Sequence, residues 1–149
     1  PLWSRGLGDV YKRQDYSLTN VMIGKNDPNV IAILDWELST LGDPCADFNY
    51  HCLQYTMNTK LADKAYCKNQ GIPVIDDYVK MYTEKINIDL TEEWDLYSAY
   101  NLFKLAGILQ GILGRVRDGT AAHENAAERA SGVRNLSDKA WDLVKKNFL

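Results

Sequence analysis

The stretch D-Y-S-L-T-N (Asp15 to Asn20), followed after V-M-I-G and a K-N-D-P-N turn by V-I-A-I-L-D-W-E (Val30 to Glu37), decides how this chain is read. Val21–Gly24 and Val30–Leu34 are short runs rich in β-branched residues. The Lys25–Asn29 segment between them has the Asn/Asp/Pro chemistry of a tight turn, so the pair predicts a β-hairpin. A polar loop precedes the hairpin and an aspartate ends it. Asp15 is a carboxylate able to take a proton from a hydroxyl. Asn20 and Asp35 offer hard oxygens of the kind Mg²⁺ prefers. This combination suits phosphoryl transfer, in which the protein mainly positions groups and offsets charge. Asp15 and Asn20 taken alone read equally well as turn formers. Asp35 at the end of the second strand is what tips the balance.

A hairpin of this size cannot stand alone and requires helices behind it. Downstream, Ser39–Pro44 is a helix start, with Asp43 as N-cap and Pro44 at the first helical position. A helix rich in aromatics is expected from Pro44 to about Met57. A shorter helix follows within Asn58–Gly71, before the break at Gly71-Ile72-Pro73. Val74, Tyr78, Val79 and Tyr82 recur at helical spacing and predict an amphipathic helix to about Ile86. Thr91 before Glu92 and Glu93 resembles a capped start for a long apolar helix reaching about Val116. Its length and apolarity mark it as the central core helix, and close packing on a neighbour would account for Gly107, Gly111 and Gly114. After the Asp118-Gly119-Thr120 turn, a last helix is expected from beyond Ala121 to Asn147, broken near Gly132. The fold class is therefore α+β, mostly α, with one small β-hairpin packed on a helical bundle.

Composition narrows the function. The 149 residues, 46% hydrophobic and 25% charged, fit a single globular domain or a large piece of one. A net charge of −3 supplies no basic field for nucleic acid. No stretch approaches the roughly 20 apolar residues of a membrane span. Cys45, Cys52 and Cys67 are odd in number and contain no C-x-x-C pair, against both a disulfide framework and a zinc site. Cys45 and Cys52, seven apart on one helix face, are expected to pack as small apolar groups. A cytoplasmic setting follows as the default. His51 and His123 belong to no metal-ligand pattern and are expected to pack or face solvent. Trp36, Trp94 and Trp141 read as core or rim aromatics, with Trp36 and Leu38 anchoring the loop after Asp35. Arg115, Arg117 and Arg129 read as a solvated helix face.

Residues 1–14 stand apart. S-R-G-L-G-D-V-Y-K-R-Q (Ser4 to Gln14) resembles the translation of a transposon adapter from sequencing libraries. It is read as an artefact and left out of fold reasoning. The Gly6-x-Gly8 and Lys12 in it do not make a phosphate loop, since no apolar strand precedes the glycines and no helix pattern follows.

Asp15-x-x-x-x-Asn20, I-L-D-W-E (Ile33 to Glu37) and G-D-P-x-x-D (Gly42 to Asp47) together resemble the C-terminal lobe of the aminoglycoside phosphotransferase and choline kinase-like family. The likeness covers residues 15–149. V-I-A-I-L-D-W-E-L-S-T-L-G-D-P (Val30 to Pro44), F-K-L-A-G-I-L-Q-G (Phe103 to Gly111) and A-W-D (Ala140 to Asp142) are similar to a branch associated with acyl-CoA dehydrogenases. The resemblance implies a protein-kinase-like fold whose N-terminal lobe lies upstream, with ATP and Mg²⁺ as cofactors. By position it implies Asp15 as catalytic base, Asn20 and Asp35 as Mg²⁺ and nucleotide-binding residues, and Asp47 as a brace for the catalytic loop. Two departures stand out: Arg13 and Gln14 occupy the family's His and Gly positions, and Ser17 stands where the branch often has Arg. The implied acceptor is a hydroxylated small molecule, for this branch a hydroxyacyl-CoA, with an acyl-CoA dehydrogenase as neighbour or fusion. The fragment alone is expected to be inactive. A non-catalytic helical interaction module, a pseudokinase lobe and an aminoglycoside or sugar kinase are the alternative readings.

Overall fold

The structure, a computed structural model, describes residues 18–37, 39, 42–57, 59–90, 92–121 and 125–149. The described residues are mostly helical, with one two-stranded antiparallel sheet among them. A 3-10 turn, Leu18–Asn20, leads into β1 (Val21–Ile23), which pairs with β2 (Val30–Ile33). Val21 faces Ile33 and Met22 faces Ala32, with an irregularity before Ile23 pairs with Val30. Gly24 closes the turn: its N–H donates to the Asn29 carbonyl at 3.0 Å, and a Cβ there would lie 2.6 Å from the Asp27 carbonyl oxygen. The strand that leads to Asp35 is not a buried one. Val30 and Ile31 are exposed, and only Ala32 and Ile33 are half-buried.

Four helices follow in chain order: α1 (Pro44–Thr56), α2 (Lys64–Asn69), α3 (Ile75–Ile86) and α4 (Trp94–Arg117). Asp43 caps α1 as its sequence implied, accepting the Cys45 N–H at 2.8 Å, and Pro44 occupies the first turn. Cys45, Phe48, Asn49, Cys52 and Leu53 are buried, which is the i, i+3, i+4, i+7, i+8 pattern of one helix face. Against that face stands α3, with Tyr82 stacked on Phe48 at 3.7 Å between ring centroids and Tyr78 meeting Phe48 edge-on at 5.2 Å. The Tyr78 hydroxyl lies 3.2 Å from His51 Nε2, so His51 is a packed histidine. Tyr55 donates to the Pro73 carbonyl at 3.1 Å and ties the far end of α1 to the break before α3. Asn87, left-handed at φ 55°, terminates α3.

The chain divides into two compact units, the first ending at Ile88 and the second running Asp89–Leu149. In the second, α4 pairs with α6 (Val133–Phe148), and the short α5 (Ala126–Arg129) packs beside α4. Ala99, Leu102 and Ala106 of α4 and Leu136 and Ala140 of α6 are buried, as are Ala126 and Ala130. Asn147 donates to Asp95 at 2.8 Å, fastening the end of α6 to the start of α4. Gly132 separates α5 from α6, where a break was expected.

At its glycines α4 departs from expectation. The helix begins at Trp94 with Glu93 as N-cap residue and no side-chain cap; Thr91 lies outside the described residues. Leu96, Tyr100, Phe103 and Ile108 of this helix are exposed. Gly107, Gly111 and Gly114 do not mark a close neighbour: a Cβ at any of them meets nothing within 4 Å.

Candidate active site

The candidate site is built at the open end of the hairpin. Asn20 ends the 3-10 turn directly before β1, and Asp35 follows β2 by two residues, so antiparallel pairing brings both to the same end of the ladder. Two hydrogen bonds hold this end of the ladder together. The Leu34 N–H donates to the Asn20 carbonyl at 2.8 Å, extending the ladder beyond its last strand pair. The Asn20 Nδ2 amide donates to Asp35 Oδ2 at 3.3 Å.

Asp35 is left-handed, at φ 62°. This region is unfavourable for residues with a Cβ, although Asp and Asn enter it more readily than most. Asn87 is the other described non-glycine residue with positive φ, and it has an ordinary task as a helix terminator. Asp35 has no helix to end. A strained backbone beside a polar cluster is where function is usefully sought.

The loop beyond Asp35 is hydrogen-bonded to itself. The Trp36 indole Nε1 donates to the Ile33 carbonyl at 2.7 Å. The Ser39 N–H donates to the Trp36 carbonyl at 2.9 Å, and the Ser39 hydroxyl donates to the same oxygen. Trp36 is an anchor as expected, though one at the rim, since it is 47% exposed. Leu38, its expected companion, lies outside the described residues.

Of the expected site residues, Asn20 and Asp35 are thus brought together, while Asp15 lies outside the described residues, as does Ser17. Asp47 is half-buried in the first turn of α1. His123 also falls outside the described residues. Arg115 and Arg117 are exposed, and Arg117 meets Asp118 at 3.0 Å on a solvated surface. Among the described residues no group of three or more His, Cys, Asp or Glu side chains is placed to hold a metal. The donor set at the hairpin mouth is instead one carboxylate and one carboxamide. These hard oxygen donors suit Mg²⁺, which keeps several waters and takes its remaining ligands from phosphates. Turning the Asn20 amide by 180° about χ2 exchanges Nδ2 for Oδ1, so the pair that hydrogen-bonds here can present two oxygens to one cation.

The phosphotransferase enzyme family model matches residues 14–100, a span that includes the hairpin, both site residues and all of α1 to α3. The chain belongs to that family. The fold agrees: a crystal structure from Ralstonia eutropha, assigned as an aminoglycoside phosphotransferase, superposes with a TM-score of 0.84 at 37% identity, over 93% of this chain and 43% of that one. Among curated proteins, mouse acyl-CoA dehydrogenase family member 10 is 34% identical over 137 residues, 89% of this chain and 13% of its own length. Human acyl-CoA dehydrogenase family member 11 is 31% identical over 138 residues, 90% of this chain and 18% of its own length. The chain therefore spans under a fifth of the curated relatives and under half of the solved phosphotransferase. The likeness to the acyl-CoA dehydrogenase-associated branch read from Val30–Pro44 is borne out.

What the sequence did not disclose is the polar use of Trp36. It was legible only as an aromatic anchor. The available signal was an indole, which carries a single N–H donor, directly beside the second aspartate.

Proposed function

We propose that this chain is the C-terminal lobe of a longer ATP- and Mg²⁺-dependent phosphotransferase that moves a γ-phosphoryl group onto a substrate hydroxyl. The observation that carries the proposal is the convergence of Asn20 and Asp35 at one hairpin mouth, in a chain of the phosphotransferase family. In this reading Asn20 and Asp35 hold the cation, and the Asp15 carboxylate takes the proton of the acceptor hydroxyl as its oxygen attacks the γ-phosphorus and ADP departs. A bound Mg²⁺ supplies charge neutralisation at the phosphate oxygens. Asp47, in the first turn of α1, steadies the loop. The larger size of the relatives supports a further lobe upstream, where the remaining phosphate-gripping residues would lie, so the 149 residues alone are proposed to be inactive.

The acceptor class is proposed from the relatives. Names in the acyl-CoA dehydrogenase family favour a hydroxylated acyl-CoA and a dehydrogenase as neighbour or fusion partner. The solved neighbour keeps an aminoglycoside or sugar acceptor as the second reading. Three buried free cysteines are consistent with a reducing, cytoplasmic setting, and no helix among the described residues is long and apolar enough to cross a membrane.

The test is phosphate transfer from radiolabelled ATP by the full-length protein to a panel of hydroxyacyl-CoAs, sugars and aminoglycosides. Asp15→Asn is expected to lower kcat by about 10²–10⁴-fold, the usual contribution of a positioned base. Equal rates for the variant and the parent would remove Asp15 from its role, and failure of the full-length protein to bind Mg²⁺–ATP would turn the reading toward a non-catalytic lobe.

A further inference from the structure

Trp36 offers more than an aromatic ring. Asp35 is left-handed, a conformation that a residue at a strand exit would relax unless its neighbours prevented it. Relaxation would swing the carboxylate away from Asn20. On the entering side, the Leu34 N–H is held by the Asn20 carbonyl at 2.8 Å. On the leaving side, the Trp36 carbonyl is held by Ser39. Between them the Trp36 indole Nε1 donates back to the Ile33 carbonyl at 2.7 Å. This bond ties residue 36 to residue 33 and closes a short ring of chain that contains Asp35. Burial does not explain the tryptophan, because nearly half its surface is open. The indole N–H bond is a contribution that an aromatic ring alone would not make.

We propose that Trp36 is a positioning residue: its indole N–H locks the left-handed conformation of Asp35 and so presets the carboxylate for the divalent cation. The inference rests on the function proposed above and assigns one further residue to the same site. Partners that orient a metal ligand typically change metal affinity by tenfold or more when lost.

The experiment uses the full-length protein with Mn²⁺ as the probe in the presence of ADP, free Mn²⁺ being read by electron paramagnetic resonance. Trp36→Phe keeps an aromatic ring and removes the donor, and it is expected to raise the apparent Mn²⁺ Kd about tenfold. Binding of ADP in EDTA and the thermal midpoint should stay unchanged. Trp36→His restores a ring N–H and is expected to recover affinity toward the parent value. If Phe binds Mn²⁺ as the parent does, or if Phe and His weaken it equally, the positioning role is overturned. Asp35→Asn separates the two levels. Should it bind Mn²⁺ like the parent, the cation site itself is refuted, whereas its loss of binding beside an unaffected Trp36→Phe removes only the positioning role.

Discussion

Asn20 and Asp35, 15 positions apart, are joined by a side-chain hydrogen bond, and a backbone hydrogen bond from the Leu34 N–H to the Asn20 carbonyl holds the chain beside it. The side-chain contact depends on the backbone one. Any change that slips the hairpin register by one residue also sends Asp35 to the other face of the ladder.

Substitutions at Asp35 should separate strain from function. Asparagine tolerates the left-handed region at least as well as aspartate, while a β-branched residue does not. Asp35→Asn is therefore expected to melt within about 0.5 kcal/mol of the parent, and Asp35→Val to lose about 1–3 kcal/mol. Both should lose Mn²⁺ binding. Urea denaturation followed by circular dichroism reads the first difference; equal stabilities for the two variants would show that the backbone at residue 35 carries no strain.

Two glycines should respond oppositely to alanine. At Gly24 the new Cβ would sit 2.6 Å from a backbone oxygen that cannot step aside, so Gly24→Ala should destabilise the hairpin by about 1–3 kcal/mol. At Gly107, mid-helix in α4, the new methyl meets nothing within 4 Å. Gly107→Ala should raise stability of the 149-residue chain by about 1 kcal/mol through helix propensity alone. Thermal midpoints that move in the same direction for both would contradict this account.

Phe48 is the central contact between α1 and α3, being 5% exposed and stacked on Tyr82. Phe48→Ala should cost about 3–5 kcal/mol, the usual loss when a buried aromatic is truncated. Tyr82→Ala should cost less, since Tyr82 is only half-buried. The two losses should fall short of additivity because the rings touch. Chemical denaturation of the single and double variants measures the coupling, and strict additivity would deny the stack any energetic role.

Burial pushes the Cys52 thiol up to about 12 from its ordinary value of 9.0. Iodoacetamide should leave Cys52 unmodified in the native chain at pH 8 and label it at once in urea. The raised value also fixes the direction of a stability change. The folded state keeps its proton where the unfolded state has lost it, so the Cys52 contribution is intact below about pH 9 and drains away between about pH 9 and 12. The slope in that window is about 1.4 kcal/mol per pH unit. Cys52→Ala should flatten this alkaline decline, and an unchanged profile would locate its cause elsewhere.

Much of this molecule is written in short-range chemistry. The hairpin, the cap at Asp43, the start of α1 at Pro44, the end of α3 and the break at Gly132 follow from residues within a few positions of each event. Turn propensity, capping and 3.6-residue periodicity act over that range. The pairing of Asn20 with Asp35 was legible for the same reason, because a tight turn leaves an antiparallel ladder little choice of partners. Tertiary structure decided the rest. Only it showed that β2 is half-exposed, that the α4 glycines face open space within this chain, and that Asp35 is left-handed within the ring of chain that a tryptophan hydrogen bond closes. Exposure and backbone conformation at those positions depend on which surfaces meet across distant segments, and residue order near a position does not encode that.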